Sequence, residues 1–522
     1  MASPCLWPAS SNPQILISQI LISPPYLSPE NTLKMTYTIG LDLGTTSAKA
    51  VAFDGEGRVL ARSSRPMHTV SDGKGRQEQR CSDIVEAVDG LLAALIRELE
   101  NPPEAIALST HMHSLILVGE GDELLSDCIL WSDLRAAGIA EQLRSEGKAM
   151  DFYRRSGTPV HAMSPLCKIA WFRKAQPELF GRVRCFADVK ALLMHHFTGR
   201  WCTDHSTASA SGLFDAEALD WYGPALDFCG IGRSRLPELC SPLELFSARA
   251  AGPLPEATKI VIGASDGCLA NLGAGVLDGQ TGVLTIGTSA AYRITGPQKI
   301  SSGQGGIFSY LLSGGLPAGF PSEKLYVSGG ASNNGAVAYQ WFCEQWLGGI
   351  PDAAGQEALL SAAPPELGDP LFLPHLYGER APLWESSATG TFAGIRPQHG
   401  KAHFHRAVME GILLNIALVA EELEQLSGPV HEIRAGGGFA RSGAWLQMAA
   451  DVFGRPLRSE DGSDDSARGA AMLAKAALEG SYPAHFVPAA SKAYQPRPEL
   501  HEIYRQKLVR FRRLCEKLYP SH

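Results

Sequence analysis

The sequence predicts an α/β protein built from two related lobes. Three observations carry this. Strand and helix patterns alternate over the first ~100 residues after Met35. A Gly-Thr/Ser hairpin occurs near the start of each half, and the second half carries periodic helices with clear stops.

The elements follow in order. Residues 37–43, 49–54 and 59–66 read as three strands joined by Gly-rich turns. Residues 84–99 have helical spacing and stop at Asn101-Pro102-Pro103. Residues 105–109 and 115–118 return to short apolar runs. The second start is TGVLTIGTSAAYRITG, residues 281–296, where Ile286-Gly287-Thr288-Ser289-Ala290 repeats the turn chemistry of Leu43-Gly44-Thr45-Thr46-Ser47-Ala48. The two lobes are expected at residues 35–280 and 281–522, with a hinge over residues 275–282.

Further on, Val408, Ile412, Ile416, Val419, Leu423 and Leu426 follow 4-4-3-4-3 spacing, which predicts a helix with one apolar face ending before Pro429. Residues 443–453 and 465–479 read as helices stopped by Gly454 and by Gly480, the latter a C′ glycine. Residues 499–519 are amphipathic and basic, and read as a helix packed on its lobe. Residues 1–34 are rich in Pro and Ser and repeat QILIS. They lack the basic start and cleavage site of a signal peptide, and read as a disordered extension or an over-called start.

Bulk properties narrow the function classes. With 522 residues, 45% hydrophobic and 19% charged, the chain is that of an ordinary globular protein. A net charge of −8 without a basic block disfavours nucleic acid as a partner. No apolar run is long enough to span a bilayer, so no membrane partner is expected. Eleven cysteines without paired spacing point to a reducing, cytoplasmic compartment and away from zinc.

The chemistry concentrates in the turns. A tight Gly-Thr turn aims N–H groups and hydroxyls at one point, as a phosphate cradle does. Asp42, a bare carboxylate inside the first strand, would there hold Mg²⁺ directly or through water; the alternative is that it caps a turn. A third turn, Ala435-Gly-Gly-Gly-Phe-Ala-Arg-Ser442, lets a planar base or ribose approach, unless it is a plain strand-to-helix turn. Ile262-Gly-Ala-Ser-Asp266-Gly267 ends an apolar strand in an acid suited to general-base work, although Asp-Gly is also a common turn. No G-x-x-x-x-G-K-[ST] and no G-x-G-x-x-G after a strand is present. His111 and His113 share a strand face, but nothing completes a metal set around them. His403 and His405 are expected to cap a helix or lie at the surface.

These motifs, taken in order, resemble the FGGY carbohydrate kinases, from about Met35 to Gly480. Met163-Ser-Pro-Leu-Cys-Lys168-Ile-Ala-Trp171-Phe resembles the family's first signature, departing at Ala175. Gly390-Thr-Phe-Ala-Gly394-Ile through His403-Phe-His-Arg-Ala-Val-Met-Glu410-Gly411 resembles the second. The resemblance implies the two-lobed actin/Hsp70-like (ribonuclease H-like) ATPase fold, with ATP and Mg²⁺ as cofactors. By position, Asp42, Gly44, Thr45 and Thr46 resemble the first phosphate hairpin, and Gly287 and Thr288 the second. Gly335 resembles a glycine near the phosphates, and Gly437, Gly438 and Ser442 resemble adenosine-side contacts. Asp266 resembles the catalytic base.

Within the family, Met112-His113 resembles the pair found in xylulokinases and gluconokinases, where glycerol kinases carry Arg-Glu. The strings HMHSLILV, ILWSDLRA, HAMSPLCKIAWF and LPHLYGERAPLWE are more similar to gluconokinases. The resemblance therefore implies phosphorylation of a small sugar or sugar acid, D-gluconate first and xylulose second. A non-catalytic ATP-binding switch is the distant reading, which the presence of Asp266 opposes. Trp131, Asp133 and Arg135 are expected to line the sugar pocket, and Arg135 or Lys168 to meet a carboxylate. A second copy of the chain is kept as a candidate partner.

Overall fold

Each hairpin seeds a sheet, and in the computed structural model the two sheets are wound alike. Residues 36–249, 254–459, 464–487 and 492–520 are described; the expectation for residues 1–34 lies outside them. In the first half, β1 (Thr38–Leu43), β2 (Ser47–Phe53), β3 (Val59–Pro66), β4 (Ala105–Thr110), β5 (Leu245–Ser247) and β6 (Lys259–Ser265) form a sheet of order β3-β2-β1-β4-β6-β5. In the second half, β7 (Thr281–Ile286), β8 (Ala290–Gly296), β9 (Phe308–Gly314), β10 (Lys324–Ser332), β11 (Glu432–Gly436), β12 (Leu457–Ser459) and β13 (Lys492–Tyr494) take the order β9-β10-β8-β7-β11-β12-β13.

Apart from the edge strand β9, the two sheets share one pattern of parallel and antiparallel pairing, but the last two strands differ in chain order: the far-edge strand β5 precedes β6, whereas β13 follows β12. In both, the hairpin's first strand pairs antiparallel on one side and parallel on the other, and an antiparallel strand closes the far edge. The central strand β1 is buried along its length except at Asp42, as expected of a strand covered on both faces.

Helix α1 (Cys81–Leu99) buries Ile84, Val88, Leu91, Leu92 and Leu95 under β2 and β3, and ends at Glu100 in a left-handed conformation. α2 (Pro165–Ala175) and α3 (Val189–Thr198) each carry a buried lysine. α4 (Asp266–Gly273) starts where β6 ends. α5 (Lys401–Ser427), α6 (Gly443–Phe453), α7 (Asp465–Glu479) and α8 (Pro498–Leu518) follow.

Two expectations change here. α5 was expected to bury one face, but every residue from His405 to Ala420 is buried, because β8, β10, α6 and α8 enclose it; Leu426 is exposed. His403 does cap this helix, its Nδ1 accepting from the Gly400 N–H at 3.2 Å. His405 instead lies in the core, 3.0 Å from the Tyr339 hydroxyl.

α7 crosses to the other half. It packs on β1, β4 and β6, and lies against α4 so closely that a Cβ on Gly469 would sit 2.1 Å from the Leu269 carbonyl. One core cluster accordingly mixes Val51 and Leu269 with Tyr310, Val327 and Leu473. α8 docks through Tyr504, Leu508, Phe511 and Cys515. Its buried Lys507 reaches Asp369 at 3.0 Å and Glu410 at 2.7 Å. Among the described residues no helix is long and apolar enough to cross a membrane.

Candidate active site

Parallel β1, β4 and β6 bring their C-terminal ends to one edge of the first sheet, the usual place for a ligand in a parallel sheet. Asp42 stands near the end of β1. Directly opposite in register, Ser109 of β4 donates its hydroxyl to Asp42 Oδ1 at 2.8 Å. Asp266 follows the last residue of β6, and its Oδ1 accepts the Gly267 N–H at 2.7 Å.

The site is electrostatically tense. Burial, with the negative charge of Asp42, lifts Asp266 to about 6, against the pull of the Arg293 and Arg380 guanidiniums. Asp42 is raised by burial and by Asp464, against Ser109 and Lys49. Burial also lifts Asp465, at the start of α7, to about 6, with Asp464 and Asp42 adding to it. Carboxylates that repel one another suit a site that takes a cation. Among the described residues, no group of three or more His, Cys, Asp or Glu could hold a metal. Mg²⁺ held by one or two carboxylates, phosphates and water needs no such group.

Each hairpin turn is closed by its glycine N–H, the second over one residue fewer. The Gly44 N–H closes the first on the Ser47 carbonyl at 3.0 Å, and the Gly287 N–H closes the second on Ser289 at 2.9 Å. The glycine amides are thus spent on the turns, leaving Thr45, Thr46 and Thr288 at the tips as donors; Thr46 and Thr288 are exposed. Gly335 and Gly437 both press on the second turn. The Gly335 N–H donates to Thr288 at 3.1 Å, and a Cβ there would meet Ser289 at 2.4 Å. Gly437 has φ +88°, and a Cβ would lie 2.6 Å from the Ile286 carbonyl. The backbone around Gly438 is open. Ser442 caps α6, accepting from the Trp445 N–H at 3.2 Å and donating to Gln356 at 2.5 Å.

The expected sugar-side residues divide. Met112 reaches Gly267, its Cε 3.1 Å from where a Cβ would be. His113 is buried with φ +65°, its Nε2 3.3 Å from the Tyr310 hydroxyl; burial and the charge of Lys168 keep its ring neutral. Trp131 lies under the Arg380 guanidinium at 4.4 Å. Asp133 and Arg135 face each other at 2.8 Å, and Arg135 also reaches Glu78 at 2.6 Å. Lys168 of α2 donates to the carbonyls of His113 at 2.6 Å, Leu130 at 2.7 Å and Ile129 at 3.5 Å.

Sequence reasoning passed over Ser109, Arg293, Glu379 and Arg380. Glu379 is fully buried and accepts from Ser332, Asn333, Arg380 and Asn415, which orders the segment before Gly335. An acid and a base inside an otherwise apolar run, and an arginine in the strand after a Gly-Thr-Ser turn, were the available signals.

The sequence and the architecture match known proteins. The model of the N-terminal domain of the FGGY family of carbohydrate kinases matches residues 37–273, and that of its C-terminal domain residues 282–478. The chain belongs to this family. It is an FGGY sugar kinase, a phosphotransferase with the two-lobed actin-like ATPase fold. The gluconokinase of Bacillus subtilis strain 168 is 34% identical over 455 residues, 84% of this chain and 87% of the relative. A gluconate kinase structure from Lactobacillus acidophilus shares 30% identity at a TM-score of 0.87, over 93% of this chain and 99% of that one. A ligand-bound xylulose kinase structure from the same organism gives 29% and 0.87 over the same shares. This FGGY kinase thus resembles kinases of a sugar acid and of a ketose about equally in shape.

Proposed function

We propose that this kinase transfers a phosphoryl group from ATP to D-gluconate, forming 6-phosphogluconate, with Asp266 as general base. The observation that carries the chemistry is the placing of Asp266 and Asp42 at the ends of β6 and β1, on the edge that bears the first hairpin turn. A carboxylate lifted to about 6 is ionised at neutral pH yet basic enough to accept a hydroxyl proton. Asp42 would hold Mg²⁺, which when bound supplies neutralisation of phosphate charge. Thr45, Thr46 and Thr288 offer donors for phosphate oxygens, and the glycines at 335 and 437 keep the second turn open to a nucleotide. Gly437, Gly438 and Ser442 are assigned to the adenosine side. Phosphoryl transfer depends chiefly on positioning and electrostatics, which is what these residues provide.

Gluconate is favoured over xylulose by the longer sequence strings and by the 34% identity to a gluconokinase. Xylulose is the second reading, supported by the equal structural likeness. A panel of sugar acids, ketoses and polyols, with coupled ADP detection, tests both. Gluconate is expected to exceed xylulose at least ~10-fold in kcat/KM, the worth of one charge-assisted hydrogen bond. Xylulose winning overturns the substrate, and no ADP formation with any sugar overturns the kinase reading itself.

A further inference from the structure

Cations around the site are of two kinds. Arg135 faces two carboxylates, Lys190 pairs with Asp204 at 3.2 Å, and Lys168 is occupied by carbonyls. Arg293 and Arg380 form no ion pair among the described residues, and the Nε of each is buried without a hydrogen-bond partner.

Arg380 is 9% exposed. Its guanidinium lies over Trp131, and its one side-chain hydrogen bond among the described residues is a long one, 3.3 Å, to the Ser332 carbonyl. Arg293, on β8 just after the second hairpin turn, has its Nε 3.4 Å from the position of a Cβ on Gly267, the residue after Asp266. Its one side-chain hydrogen bond among the described residues is a marginal 3.5 Å contact to Thr285. The two arginines come from separate segments: Arg293 lies beside the candidate base, and Arg380 is held at the end of β10, the strand that pairs with β8. Burial pulls both below the ordinary guanidinium range; Asp266 is the main anion opposing this for Arg293, whereas for Arg380 it is Glu379, with Asp266 a smaller contribution.

A buried cation without a partner is costly, and a guanidinium offers a planar fork that fits an oxyanion. We propose that Arg293 and Arg380 form an oxyanion subsite beside Asp266. The reaction proposed above presents two oxyanions, the substrate's carboxylate and the phosphoryl oxygens. The stacking of Arg380 on Trp131, on the sugar side, favours the carboxylate. Only that arm rests on the gluconate reading.

The test is calorimetric and uses the full chain without nucleotide. Gluconate, D-glucitol (its carboxylate-free counterpart) and inorganic phosphate are titrated into wild type, Arg293→Met and Arg380→Met. At least one variant is expected to lose about tenfold or more in affinity for gluconate or for phosphate while glucitol stays within threefold. Loss on gluconate assigns the carboxylate, and loss on phosphate alone assigns the phosphoryl oxygens. A methionine variant that does not fold is replaced by Arg293→Lys or Arg380→Lys, which keep charge but lose the fork, and must still lose more than threefold. The subsite is overturned if wild type binds neither anion, if both anions hold within threefold in every variant, or if glucitol weakens in step with them. Should xylulose outrun gluconate in the kinase assay while phosphate affinity still falls in the variants, the gluconate reading fails and the subsite stands.

Discussion

Ser109 and Asp42 sit opposite each other on neighbouring parallel strands, and among the described residues the serine hydroxyl is the one side-chain donor that the carboxylate receives, at 2.8 Å. The bond favours the charged form of Asp42 without neutralising it, so repulsion from Asp464 remains. Asp42→Asn keeps the shape and removes the charge. It is expected to raise the Mg²⁺ concentration needed for half-maximal activity and to raise the melting temperature, since a repelled, buried charge is gone. An unchanged Mg²⁺ titration would return Asp42 to a structural role.

Asp266→Asn is expected to lower kcat by roughly 10²–10⁴-fold, the usual contribution of a general base. The sign of the pH effect follows from the raised pKa. In wild type the carboxylate gains its proton as pH falls through about 6, so kcat/KM should be level above that value and fall below it. The asparagine variant should lack this limb. A wild-type profile flat down to pH 5 would remove Asp266 as the base.

Lys507 anchors α8 between two buried carboxylates. Lys507→Met leaves Asp369 and Glu410 facing each other, and breaking a buried pair in this way costs about 3–5 kcal/mol. Chemical denaturation should show that loss, while kcat of the folded protein stays within twofold because Lys507 lies outside the cleft. A stability change below ~1 kcal/mol would contradict this account of how α8 is held.

Gly437→Ala places a methyl group 2.6 Å from the Ile286 carbonyl at φ +88°. A left-handed alanine costs roughly 1–2 kcal/mol before the clash is counted. The second hairpin turn must shift, so the KM for ATP should rise about fivefold or more with the sugar KM unmoved. Equal changes in both would show that the turn is not specific to the nucleotide.

Much of this protein is local. β1 to β3, α6, α7 and the capping glycines could be read from alternation, 3.6-residue spacing and stop residues, because each of those signals lies within a few neighbouring positions. The repeated Gly-Thr-Ser turn pointed to two related halves for the same reason, and their sheets share one pairing pattern although the two strands farthest from the hairpin are exchanged in chain order. Asp42 and Asp266 stood out as charges at the ends of apolar strands. Tertiary structure alone decided what those charges meet. Lys168 and Arg135 look like free cations in the sequence, yet one is claimed by carbonyls from two other segments and the other by Glu78, 57 residues away. Arg293 and Arg380 look ordinary there, yet packing buries the Nε of each without a hydrogen-bond partner and leaves both guanidiniums without an ion pair among the described residues. His405 shows the same limit, since only the enclosure of α5 makes it a core residue. Charge and hydrogen bonding are settled by which distant atoms arrive within 3–4 Å, and nothing in the periodicity of a segment records its partners.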